Sequence, residues 1–89
     1  MNQIFVSIFP IVVRKGTNIF TGATREVIEY ESKAFDKDMN PIMTSTPQGE
    51  PYQVGQISTS LSWAQHDIKE HFRDLYDSLF PDGWYITFI

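Results

Sequence analysis

Hydrophobic and polar positions along this 89-residue chain follow two rhythms, one of period two and one of period 3.6. Residues 3–14 are dense in Ile, Val and Phe, a composition that favours a strand. With a period of two, Ile4, Val6 and Ile8 face one way and Phe5, Phe9, Ile11 and Val13 the other. Pro10 has no N–H to offer a ladder, which predicts an edge strand or a bend there. In residues 15–24, Gly16 and Gly22 stand either side of a short apolar dipeptide and mark a hairpin connection. Residues 25–35 alternate again. Val27, Glu29, Glu31 and Lys33 oppose Ile28, Tyr30 and Ala34, as in a strand with one solvated side.

Asp36 to Pro51 is the loosest stretch, because Pro41, Pro47, Gly49 and Pro51 forbid long regular structure. Pro41–Thr46 has room for a brief pairing. A connection of this length in a small domain is usually functional or disordered. Residues 52–60 read as a weaker strand, with Gly55 at a bulge.

The period of 3.6 begins after Ser62 and Gln65, which read as an S-x-x-Q capping box. Ala64, Ile68, Phe72, Leu75, Tyr76 and Leu79 recur on one face, and Pro81, Asp82 and Gly83 stop the helix. Trp84–Ile89 returns to strand composition. There is no repeat, heptad or low-complexity tract. The pattern predicts a single α+β domain over 1–89: a mostly antiparallel sheet of about four strands, in the order β-β-β-α-β, with one amphipathic helix on one face.

Composition supports a core, at 42% hydrophobic and 15% aromatic residues. The absence of cysteine removes disulfide scaffolds, thiolate metal sites and thiol nucleophiles. A secreted domain of this size usually needs such staples, so a cytoplasmic setting is expected. The apolar run Ile4–Val13 is not read as a targeting segment, since no base precedes it and Arg14 and Lys15 follow. It is also too short to span a bilayer, which takes about 20 residues.

Motifs for chemistry are missing. His66/Glu70 and Asp67/His71 are i,i+4 pairs, but they match neither zinc-protease spacing and read as exposed helical charges. Gly16 and Gly22 are not followed by Lys-Ser/Thr or a helix, and no serine sits in a nucleophile elbow. Glu29 and Glu31 share a strand face about 7 Å apart, with no cleft predicted around them. We expect no enzyme, no metal and no cofactor.

Three surfaces are candidates for a partner. Asp67, Glu70, Asp74 and Asp77 fall within an arc of about 80° opposite the apolar stripe, with Trp63 near the same arc. Their spacing imitates a phosphate backbone, although any amphipathic helix also needs a polar face. Second, the first and last strands are apolar on both sides, with Trp84, Ile86 and Phe88 alternating with Tyr85 and Ile89. One helix covers one face. Phe5, Phe9 and Tyr85 are then left for the 36–51 loop, sheet curvature, a second copy or a partner to cover. Third, Arg14, Lys15 and Arg25 flank the first hairpin near Phe20, a small foothold for nucleic acid. Against it stands a net charge of −4, with ten acids and four bases after Glu26. The expected function is a non-enzymatic protein-binding domain, an inhibitor or accessory factor of the kind phages and mobile elements encode. Its acidic helix would dock on a basic or nucleic-acid-binding protein. The alternatives are a homo-oligomeric assembly subunit and a small nucleic-acid binder.

Overall fold

The computed structural model describes the backbone of residues 1–89 and all side chains except those of residues 13 and 14. In chain order the elements are β1 (Asn2–Thr17), β2 (Thr24–Phe35), β3 (Met43–Ser45), β4 (Pro51–Gln53), β5 (Ile57–Ser58), α1 (Leu61–Glu70), α2 (Arg73–Leu79) and β6 (Trp84–Phe88). The principal sheet has the order β5-β2-β1-β6, and β3 pairs with β4 as a separate ribbon. The class is α+β, as the patterning predicts, but the strand expected over 52–60 is split into β4 and β5, and the sheet and helix differ as well.

First, β6 runs parallel to β1, from Asn2↔Trp84 to Val6↔Phe88, so the sheet is mixed rather than mostly antiparallel. The cause is the crossover. β5 is antiparallel to β2, and residues 59–83 carry the chain over one face through both helices, long enough to return it parallel to β1. Second, the predicted single helix is two. Phe72 leaves helical geometry (φ −104, ψ 12) and turns its ring into the core, ending α1 and opening α2. The cap also differs: Ser60, in extended conformation, accepts the Trp63 N–H on its hydroxyl at 3.2 Å, so Ser62 already lies inside the first turn.

The core lies on one face of the sheet. Ile4 and Val6 of β1 and Ala34 of β2 meet Ile68, Phe72 and Tyr76 from the helices, all buried. Ile42 and Val54, which flank the β3–β4 ribbon, complete this cluster from the β2 edge. That region is tied on by backbone bonds, from Ile42 N–H to the Ala34 carbonyl and from Ala34 N–H to the Val54 carbonyl. The expected brief pairing appears as β3 with β4. Gly55, expected at a bulge, marks a close approach of backbones. A Cβ there would lie 1.9 Å from the Ser32 carbonyl oxygen.

Pro10 fits the sheet because of its register. Tyr30, Ser32 and Ala34 point their backbone groups away from β1, so Val6, Ile8 and Pro10 point theirs away from β2. The β6 pairing stops at Val6, so the missing N–H of Pro10 falls on an open side.

Gly55→Ala should therefore destabilise the fold by at least about 2 kcal/mol, read from urea unfolding. An unchanged midpoint would show that the 54–56 segment does not hold this position against β2. Tyr76 carries a second test. Its ring is fully buried against Trp84, its hydroxyl donates to the Ile68 carbonyl at 3.1 Å, and burial pushes its phenol well above the ordinary range. The folded chain keeps a proton that the unfolded chain releases above about pH 10. This contribution is therefore complete below that pH and declines as pH rises, by up to about 1.4 kcal/mol per unit. Tyr76→Phe should remove that alkaline slope and cost about 1 kcal/mol at neutral pH, with unfolding compared from pH 7 to 11.

Candidate interaction surface

β1 and β2 together make a ribbon much longer than the layer that covers them. Sixteen residues of β1 span about 50 Å, whereas the ten residues of α1 span about 15 Å. β6 pairs no further than Val6, and β5 no further toward the tip than Tyr30. Residues 11–28 thus project as a two-stranded arm. The dimensions record it: 58 × 30 × 21 Å, with a radius of gyration of 16.2 Å against about 12 Å for a compact chain of this length.

The arm ends in a built loop. Strand pairing closes at Thr17↔Thr24. The Asn18 carboxamide oxygen accepts from the N–H groups of Phe20 (2.8 Å) and Thr21 (3.2 Å), and the Asn18 carbonyl accepts from Gly22 N–H (2.8 Å). Gly22 adopts φ +72, a left-handed conformation that costs glycine little. This frame presents Ile19 and Phe20 at 88% and 91% exposure. Leaving both in water forgoes about 1.5–3 kcal/mol for each. Further back, Val12 and Ile28 form a cross-strand pair and are also exposed. They continue the Ile4-Val6-Ile8 side of the ribbon past the end of the helices.

The sequence pattern marks Phe20 only as a neighbour of the basic positions and does not single out the tip. The missing signal is length: two strands of 16 and 12 residues facing one short helix must overhang it. Lys15 pairs across the ribbon with Glu26 at 3.6 Å, and Arg25 is exposed nearby. The expected facing of Val13 and the Arg14 cation lie outside the described side chains.

The second surface is the sheet face away from the helices. Register places Phe5 with Phe35 and Thr87, Phe9 with Glu31, and Gln3 with Tyr85 on this side. None of these residues is buried, and Tyr85 is 45% exposed. Lys33 pairs with Glu31 at 3.9 Å and sits over the Phe9 ring at 5.7 Å. The 36–51 region sends its apolar side chain Ile42 into the helix-side core and buries none of these residues.

The acidic stripe is divided by the helix break and largely engaged by neighbours. Asp67 accepts from the Ser58 hydroxyl (3.2 Å), Asp77 accepts from the Trp84 indole (2.8 Å), and Glu70 pairs with Arg73. Asp74 sits in the first turn of α2, a placement favourable to its charge. Trp63 is 58% exposed, edge-on to His66, and lines with it and Ser62 a shallow cavity of about 320 Å³. Among the described residues, no cluster of three or more His, Asp or Glu could hold a metal, and no helix is long and apolar enough to cross a membrane. Comparisons with family models, curated proteins and solved structures found no match.

Asp67→Ala and Asp77→Ala should each lower the unfolding free energy by about 1 kcal/mol in urea titrations. A purely solvated stripe would lose nothing at either position.

Proposed function

We propose that this chain is a non-enzymatic protein-binding domain that works in the cytoplasm as an accessory or assembly factor and engages its partner through the β-hairpin arm. The observation that supports the reading is the tip, where an ordered loop holds Ile19 and Phe20 out in water. A two-stranded ribbon is marginal alone in water, and its free edges invite pairing. Burying the tip and the Val12–Ile28 pair against another surface would offset both costs. Because the loop is already held by Asn18, little ordering entropy is lost on docking. The open face carrying Phe5, Phe9 and Tyr85 is a second apolar contact on the same body. The acidic helix ranks below the arm in this reading, since Asp67, Glu70 and Asp77 already have partners within the domain.

The test compares three tagged proteins in affinity capture: native, Ile19→Ser with Phe20→Ser, and Glu70→Lys with Asp74→Lys and Asp77→Lys. Native and helix variants should retain the same specific protein, while the tip variant loses it with its melting temperature unchanged. Retention by the tip variant, with loss by the helix variant, would return the function to the acidic stripe.

A further inference from the structure

We infer that the surface receiving the arm belongs to a second copy of this chain, with the tip of one copy seated at Trp63 on α1 of another. The inference rests on the arm being the binding element and adds the identity of its occupant.

Charge is the first reason. Residues 11–28 hold Arg14, Lys15, Arg25 and Glu26, a formal +2 within a chain of net −4, so the remaining residues carry −6. An arm and a body of opposite sign attract in trans, and a foreign basic partner would be repelled by the arm. The same −6 opposes nucleic acid.

Shape is the second reason. The tip offers one aromatic and one aliphatic side chain, and the helix surface offers an exposed indole beside a shallow cavity. Leu61, at the start of the same helix, is 49% exposed. Spacing agrees as well. Arg25 is one residue behind the last strand pair, about 10 Å from Phe20. Glu70 lies seven residues along from Trp63, also about 10 Å. An arm laid along the helix with Phe20 at Trp63 therefore brings Arg25 to the level of Glu70, where attraction to the acidic helix adds to the contacts its carboxylates already make within their own domain. Each copy has one arm and one seat. Association is then either reciprocal in a pair or head to tail.

The absence of cysteine makes a direct test clean. Purified Phe20→Cys and Trp63→Cys proteins are mixed, oxidised gently and separated without reductant. A 20–63 linked dimer should form in the mixture and fall several-fold in yield at 0.5 M salt. Phe20→Cys mixed with Tyr85→Cys serves as the comparison and should give only background. In sedimentation, native protein should self-associate, and Phe20→Ser should weaken that association at least about tenfold.

A native protein monomeric at every concentration, with no 20–63 link, overturns the inference. If that monomer still captures a foreign protein through Ile19 and Phe20, the arm remains the binding element and only the second copy falls. If capture ignores the tip, both readings fall. A 20–85 link in place of 20–63 overturns Trp63 as the seat. A shifted DNA duplex, released by Lys15→Glu with Arg25→Glu and without any 20–63 link, assigns the arm to nucleic acid instead.

Discussion

An α-helix advances 1.5 Å per residue and a strand about 3.3 Å, so a helix covers less than half its own residue count in strand. That ratio governs this molecule. α1 reaches over Ile4, Val6 and the facing Ala34, and there the apolar side chains of the sheet are fully buried. Past Tyr30 the alternation in β1 and β2 continues beyond the pairing of β5 and β6, and the chain becomes an arm. The division between a stable body and a projecting ribbon follows from the unequal lengths of the covering layer and the covered one.

Within the body, burial is completed by backbone as much as by side chains. Tyr76 closes the end of α1 with a hydroxyl bond, while its ring packs edge-on against Trp84 at 4.9 Å. Ser32 and Ala34 offer their outer N–H groups to Gln56 and Val54, which lets irregular chain act as sheet along this edge. No buried side-chain N or O among the described residues lacks a partner. The polar groups of the helices serve the same purpose, which is why a stripe of carboxylates that looks free in helical projection is partly tied down by Ser58, Arg73 and Trp84 in three dimensions.

Much of this was legible in the residues. The two-residue alternation separated Ile4 and Val6 from Phe5 and Phe9 correctly, and the 3.6 period found Ala64, Ile68, Phe72 and Tyr76. Leu79 broke the pattern, remaining 47% exposed at the end of α2. The parallel pairing of β6 could not be read from composition, because the same Trp-Tyr-Ile-Thr-Phe run suits either direction. It depends on where β5 ends and how far the helices carry the chain. The break at Phe72 was hidden for a similar reason: an apolar residue at a core position looks the same whether its backbone is helical or not. The arm tip is not legible in composition because single-residue exposure is set by neighbours in space, and it takes a comparison of element lengths to place Ile19 and Phe20 beyond the covering layer.

Pro10 gives the ribbon two unequal borders. A strand arriving along the outer border of β1 would meet a pyrrolidine ring where a donor belongs, two residues beyond Ile8. The border of β2 from Thr24 to Ile28 has no such interruption. Fibrillar growth of the cross-β kind needs both borders of every strand, since each layer must accept one neighbour and offer itself to the next. A ribbon closed on one side can accept a single layer and then stop. A 16-residue strand rich in Ile, Val and Phe, which would otherwise be a template for indefinite stacking, is limited by one imino acid near its middle.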